Sequence, residues 1–305
     1  MVQLKKAQLS KMNEWMQVNA RAYDKAKWDY LFNGGTKDNV ILEMLKYQNE
    51  DGGFGNGFEP DVLLPLSAGI PSAEAIFQAY EYDLDFKADW FVRLLSYFEN
   101  SVQPIPKFWE DAPKELMEYP RAPWWNYEAC TKFSPNPCAV IASAFIRYGT
   151  DKQRKLGYSV AEKCFDLLVS NDFCGDHDSY NIIKLTEKLK SIDSPLVTNE
   201  IIKSMKRRIA ENICFDKTKW NDYVSQPLDF ADSPDSLWYG DSKKGIDDNF
   251  QFWIDNINDD GVWNPNFSWG VDSDISRQVT EKWKGYIAVK RAKIFLNYGL
   301  IDDAK

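Results

Sequence analysis

The most informative local feature of the sequence is Tyr47-Gln48-Asn49-Glu50-Asp51-Gly52-Gly53-Phe54-Gly55, because it follows an amphipathic helix pattern and reverses the chain. Near the other end, Asn258-Asp259-Asp260-Gly261-Val262-Trp263 repeats the arrangement after a second such helix. Glycine after aspartate supplies the positive φ of a reversal, and the aromatic residue that follows can cover the helix end. Asp-Gly turns are common, but the shared position after a helix and before an aromatic residue favours a repeated helix-turn-helix unit.

Helical periodicity extends along most of the chain, for example at Ala73, Ile76, Phe77 and Tyr80. Strand alternation is nearly absent, so the pattern predicts an all-α fold of about ten to twelve helices. Ser134 and Ser72 are predicted as helix N-caps. Gly149 and Gly299 are predicted to end helices.

The composition limits the possible partners. The chain has 305 residues, a net charge of -9 and a pI near 4.9, which disfavours binding to nucleic acid or anionic lipid. The longest apolar run, residues 138–146, is too short to cross a bilayer, so we expect no membrane span. The N-terminal residues lack a signal-peptide pattern, which predicts a cytoplasmic protein.

Two long segments interrupt the helical pattern, residues 101–137 with seven prolines and residues 214–241 with many Asp, Ser, Pro and aromatic residues. Neither has the composition of a flexible linker, so we predict a single domain over residues 1–305. Long ordered loops often carry function, which makes both segments candidates for the site. The five cysteines form no Cys-x-x-Cys pair, so a disulfide framework is not expected.

Gln48 followed by Asp51-Gly52-Gly53-Phe54 resembles the Gln…Gly-x-Trp/Phe repeat of the terpenoid cyclase and protein prenyltransferase superfamily. The resemblance implies an α/α toroid, an (α/α)6 barrel of about six helix pairs in a ring. Further fragments are similar to a bacterial branch of that superfamily: Gly57-Phe58-Glu59-Pro60-Asp61, Ala122-Pro123-Trp124-Trp125, residues 227–236 and Glu281-Lys282-Trp283-Lys284-Gly285.

The catalytic motifs of that superfamily are incomplete in this chain. Asp272-Ser273-Asp274-Ile275 lacks the last carboxylate of the Asp-x-Asp-Asp acid motif, which leaves Asp274 as a candidate acid. Asp247-Asp248 does not complete an Asp-Asp-x-x-Asp magnesium motif. Asp172-Phe173-Cys174 matches the Asp-x-Cys zinc motif, but His177, the only histidine, lies three residues further on. We therefore expect no metal and no cofactor.

The candidate site combines carboxylates and large aromatic rings in non-helical segments. The candidate catalytic acids are Glu59, Asp61, Asp235 and Asp274, and the candidate substrate-binding residues are Trp124, Trp125, Asp229, Trp269 and Trp283. We expect Glu59, Asp61, Trp124, Trp125 and Asp235 to cluster at the mouth of a central cavity.

Rings of this kind stabilise carbocations or hold isoprenoid chains, and they also stack on sugars beside paired carboxylates. The resemblance favours a small-molecule ligand of apolar, isoprenoid-like character. A carbohydrate-active or carbohydrate-binding protein is the second hypothesis and a non-catalytic interaction module the third, and the sequence leaves open whether the chain is an enzyme.

Overall fold

The protein is all-α in the computed structural model, which describes residues 2–104, 107–130, 132–172 and 175–302, with 62% of them helical. The strands among these residues are short: β1, Gln103–Pro104, pairs antiparallel with β2, Lys107–Phe108. The helices are α1 Lys6–Asn19, α2 Ala22–Phe32, α3 Lys37–Met44, α4 Gly69–Tyr82, α5 Asp89–Ser101, α6 Tyr127–Cys130, α7 Pro135–Tyr148, α8 Asp151–Ser170, α9 Asp176–Lys190, α10 Asn199–Asn212, α11 Pro227–Phe230, α12 Tyr239–Asp255 and α13 Asp274–Asn297.

The chain divides into two compact units. The terminal unit comprises Met1–Met44 and Ile209–Lys305, and the middle unit comprises Leu45–Arg208. The single domain over residues 1–305 and the ring of helix pairs stay predictions. In the described part of the chain, no helix combines the length and the apolar character needed to cross a membrane.

The core of the terminal unit joins residues from the beginning and the end of the chain. Met12 and Trp15 of α1, Phe250 and Trp253 of α12, and Phe295 of α13 belong to one buried cluster. The long helix α13 begins at a capping box, in which Ser273 Oγ accepts a hydrogen bond from Ser276 N at 3.1 Å.

Helix α7 forms the centre of the middle unit. Eleven of its residues are buried, because α4, α8 and α9 all pack against it. The predicted N-cap Ser134 is confirmed, since its side chain accepts from Asn136 N. The predicted N-cap at Ser72 is wrong: α4 begins at Gly69, and the buried Ser72 hydroxyl accepts instead from Phe54 N at 2.8 Å. Proline at the third helical position removes no helical hydrogen bond, so the helix can start before Ser72.

The two predicted turns have the same backbone. In the Asn49 turn, residues 49–54, Asn49 N donates to Gly53 O at 2.8 Å and Gly52 N to Asn49 O at 3.0 Å. In the Asn258 turn, residues 258–263, Asn258 N donates to Val262 O at 2.8 Å and Gly261 N to Asn258 O at 2.9 Å. The φ angles of Gly52 and Gly261 are 91° and 89°. The predicted positive-φ glycines are therefore confirmed.

The aromatic residue after each turn is buried. Phe54 is fully buried in the middle unit, and Trp263 is 1% exposed in the terminal unit. The Trp263 indole Nε1 donates to Trp253 O near the end of α12 at 2.7 Å, so this ring does cover a helix end.

Candidate functional site

Trp109 fixes the loop that follows β2 in the middle unit. Its indole Nε1 donates to Phe98 O at 2.7 Å, and its backbone N donates to Cys138 Sγ at 3.4 Å. The ring is 2% exposed and meets Phe145 edge to face at 5.5 Å. Two carboxylates, Glu110 and Asp111, follow this anchor directly, so their backbone starts from a fixed point.

The N-terminus of α4 holds the same loop from the other side. Ile70 N donates to Asp111 O at 2.9 Å. A Cβ on Gly69 would lie 2.0 Å from Glu110 O, a distance that no side chain tolerates. Glycine at position 69 therefore allows the loop to approach the helix closely enough for the Ile70 hydrogen bond.

A third carboxylate, Asp178, lies in the first turn of α9. It is 7% exposed, and its Oδ1 accepts from Ser134 Oγ and from Asn136 N, the latter at 3.0 Å. Two hydrogen bonds and a helix N-terminus together stabilise a negative charge at this position.

Asp111 is the acid whose environment is most unusual. Burial raises the pKa of its carboxyl, and the nearby charges of Asp178 and Glu110 raise it further, to about 8. Burial also raises the pKa of Glu110. Asp111 as a residue is partly exposed. At neutral pH this side chain is a neutral carboxylic acid that can donate a proton.

Four of the predicted site residues lie in two neighbouring segments of the middle unit. Asp61, 3% exposed, accepts a hydrogen bond through its backbone O from Ala122 N at 3.1 Å. This pairing brings the segment with Glu59 and Asp61 close to the one with Trp124 and Trp125. Trp125 packs against a small buried cluster, whereas Trp124 is 46% exposed.

Asp229 and Asp235 belong to the terminal unit. Asp229 Oδ2 accepts from Gln226 N at 2.9 Å at the start of α11, and its Oδ1 accepts from Lys290 Nζ at 3.2 Å. Asp235 is exposed. Its clustering with the four residues of the middle unit stays a prediction.

The other three predicted residues are near α13 in the terminal unit. Trp269 lines a recess of about 640 Å³ together with Val271, Arg277 and other residues. Asp274 is exposed and forms an ion pair with Arg277. Trp283 is partly buried and contacts Phe267 edge to face at 5.3 Å. The catalytic and binding roles assigned to these residues stay predictions.

Within the residues that the structure describes, no three His, Cys, Asp or Glu side chains are grouped to hold a metal ion. Cys174, a member of the Asp-x-Cys motif, lies outside the described residues. The ring of His177 faces Tyr180 edge to face at 6.3 Å.

The sequence patterns did not single out Asp111, Glu110 or Asp178. A signal was present for the first two, since they are adjacent acids behind a tryptophan in a long ordered loop. No local signal marked Asp178, which resembles any acid in the first turn of a helix.

Comparisons with known proteins do not identify the chain: no family model matches it, and no match was found among curated proteins or solved structures.

Proposed function

We propose that the protein is an acid–base enzyme that acts on a carbon–oxygen bond of a hydroxyl-rich small molecule, such as a glycoside. Asp111 donates the proton, and Asp178 is the charged carboxylate beside it. One observation carries the proposal: the carboxyl group of a partly exposed residue has a pKa raised to about 8 and lies close to a second carboxylate. Two carboxyl groups whose environments differ in this way are the usual basis of acid–base catalysis by aspartate and glutamate.

The pKa of Asp111 selects among the chemistries that the sequence left open. Protonation of an alkene requires an unusually strong acid, and a carboxyl group with a pKa near 8 is a weak one. Protonation of a leaving oxygen at neutral pH suits such a group, because it is protonated in the resting enzyme and matched to the working pH. The carbohydrate hypothesis is therefore favoured over cyclisation of an isoprenoid at this site.

The chain's residues have distinct roles in this proposal. Trp109 and Ile70 fix the backbone on each side of the acid, and burial together with repulsion from Asp178 keeps it protonated. As the carbon–oxygen bond breaks, the Asp111 proton moves to the leaving oxygen, and the negative charge of Asp178 stabilises the positive charge that develops on the substrate. Water then adds to the substrate carbon and returns a proton to Asp111.

For the whole chain we propose an α/α toroid related to the terpenoid cyclase and prenyltransferase superfamily. The support is the pair of matching turns, each of which comes after a helix and before a buried aromatic residue. A crystal structure with a closed ring of about six helix pairs would agree with this proposal, and an open stack of helices would contradict it.

The enzymatic proposal is tested with pairs of glycosides that differ only in the leaving group, one an ordinary alcohol and one an activated phenol. We expect Asp111→Asn to abolish cleavage of the alcohol glycoside and to retain much of the phenol glycoside activity, because a good leaving group needs no proton. Glu118→Gln, an exposed acid of the same loop, is the matched control. The wild-type kcat/KM should fall above about pH 8 as Asp111 loses its proton.

Equal losses for both leaving groups in a folded Asp111→Asn variant would contradict the role of Asp111 as proton donor. An absence of cleavage across a broad panel of glycosides would contradict the substrate class. The protonation state itself can be followed by NMR of protein labelled with 13C at the aspartate carboxyl carbons. One resonance should titrate near pH 8 and be missing from Asp111→Asn.

A second candidate function is the binding of an apolar, isoprenoid-like molecule in the terminal unit. The recess lined by Trp269 and Val271 favours it, since these side chains offer apolar surface to a ligand. Trp269→Ala should then weaken binding of a fluorescent isoprenoid alcohol, and unchanged binding would exclude this recess as its site.

A further inference from the structure

The guanidinium group of Arg291, on α13, lies over two tryptophan rings of the terminal unit. Its Cζ is 4.7 Å from the Trp253 ring centroid and 5.4 Å from that of Trp263. Both rings are fixed, because Trp263 Nε1 donates to Trp253 O at 2.7 Å and Trp253 Nε1 donates to Gln226 Oε1 at 2.9 Å. The cation therefore rests on a rigid aromatic surface.

Arg291 has no hydrogen bond or ion pair with any residue that the structure describes. The acid that influences it, Asp229, uses Oδ2 to accept from Gln226 N and Oδ1 to accept from Lys290 Nζ. By contrast, Arg277 on the same helix forms ion pairs with both Asp272 and Asp274. The planar fork of donors on Arg291 is thus open to a partner from outside the chain.

The surroundings make such a partner favourable. The Arg291 side chain is half-buried, and its guanidinium nitrogens keep contact with solvent. Burial lowers the pKa of the guanidinium to about 10, although Asp229 acts in the opposite direction. A poorly hydrated cation that solvent can still reach gains more from an anion than a fully hydrated one does.

We propose that Arg291 is a binding site for the carboxylate of a small molecule, held by the guanidinium fork above Trp253 and Trp263. The fork matches the paired oxygens of a carboxylate or of a phosphate. The charge of the ligand selects between them, because the nearby negative charge of Asp229 disfavours a ligand that carries two charges. The site lies within the terminal unit and does not depend on the role proposed for Asp111.

The test is an NMR titration of protein labelled with 15N at the arginine side chains, with acetate and inorganic phosphate as probes. The Nε resonance missing from Arg291→Gln is assigned to Arg291, and that missing from Arg277→Gln serves as the internal control on the same helix. We expect acetate to shift the Arg291 resonance saturably, with a Kd of about 1–10 mM for a single charge-assisted pair. The Arg277 resonance should shift little and without saturation.

Arg291→Lys separates charge from geometry, because lysine keeps the positive charge and lacks the fork. We expect acetate binding to this variant, followed through its lysine Nζ resonance, to be at least about fivefold weaker. Equal shifts at Arg291 and Arg277, or no saturation at Arg291, would overturn the site. Tighter binding of phosphate than of acetate would overturn its proposed carboxylate preference.

Discussion

The Asn49 turn and the Asn258 turn share a backbone but are held in place by different contacts. At the Asn49 turn, a Cβ on Gly52 would lie 2.3 Å from the backbone O of Arg93, so the chain packs directly on α5. At the Asn258 turn, a Cβ on Gly261 would lie 2.7 Å from Cγ of Lys11, the stem of a flexible side chain. The first glycine is required by contact and by φ, and the second mainly by φ.

The residues that precede the two turns also differ in how they are held. Gln48 Nε2 donates to Gly52 O at 2.9 Å and to Trp90 O at 2.8 Å, and its Oε1 accepts from Arg93 at 2.8 Å. The corresponding residue of the other turn, Ile257, packs against the apolar core. The Asn49 turn is thus held by polar contacts, and the Asn258 turn by apolar burial. Two turns with the same backbone conformation can therefore be stabilised by different interactions.

Among matched substitutions in the two turns, the largest difference in the free energy of unfolding is expected for the glycines. Gly52→Ala should lower the free energy of unfolding by about 3 kcal/mol, because both the positive φ and the Arg93 carbonyl oppose a side chain. Gly261→Ala should cost about 1 kcal/mol, since Lys11 can move aside. Urea unfolding measures the loss of stability in both variants. Equal losses would show that the contact with α5 does not contribute to the requirement for glycine at position 52.

Gln48→Leu should cost about 2 kcal/mol, because it leaves the carbonyl groups of Gly52 and Trp90 without their donor. Gln48→Glu retains the contact with Arg93 and cannot donate when ionised, so it should be more stable at pH 4 than at pH 7 relative to wild type. The matched change in the other turn, Ile257→Gln, should cost about 1 kcal/mol through lost burial. Thermal unfolding at the two pH values provides the comparison, and a tolerated Gln48→Leu would show that the polar lock is unimportant.

The two units should also respond differently to pH. The folded protein retains the Asp111 proton up to about pH 8, whereas the unfolded chain loses it near pH 4, so wild-type stability falls across this range. Asp111→Asn removes that loss, so its stability relative to wild type should rise as the pH is raised from 4 to 9. Asp274→Asn, at an exposed acid of the terminal unit, is the matched control. The measurement is the melting temperature of each protein from pH 4 to 9. Parallel curves for Asp111→Asn and wild type would show that the pKa of Asp111 is not raised.

The smallest difference is expected for the acids within the turns. Asp51 Oδ1 accepts from Gly53 N at 2.9 Å and from Ser67 Oγ at 2.6 Å, so Asp51→Ala should cost about 1 kcal/mol. Asp260 pairs with Lys284 at 3.2 Å, and Asp260→Ala should cost about 0.3 kcal/mol, an effect that disappears in high salt. A loss of stability that depends on salt in Asp51→Ala, or one that does not depend on salt in Asp260→Ala, would contradict this distinction.

The sequence predicted the parts of the fold that depend on local chemistry. Gly52 and Gly261 had to adopt positive φ after their helices, and Ser134 before Pro135 had to cap α7. Ser72 failed as a cap because the hydroxyl is used by Phe54 N, a contact made across the Asn49 turn loop that no local pattern contains.

The candidate site was less predictable, because its chemistry arises between distant segments. The raised pKa of Asp111 requires burial of its carboxyl group and the approach of Asp178 from α9. Composition and spacing report neither distance nor burial, so acids such as Asp274 and Asp111 look alike in the sequence. Arg291 was missed for the same reason, since its isolation depends on how Asp229 is used by Lys290.

The close approach of the Glu110 carbonyl to Gly69 also limits how this loop can change in length. Trp109 is fixed by its indole, and Asp111 O is fixed by Ile70 N, so only Glu110 separates the two attachment points. One added or deleted residue changes the reach of an extended chain by about 3.3–3.6 Å, which is longer than either hydrogen bond. Insertions and deletions between Trp109 and Asp111 should therefore be excluded from working homologues, while side-chain replacement at position 110 remains possible.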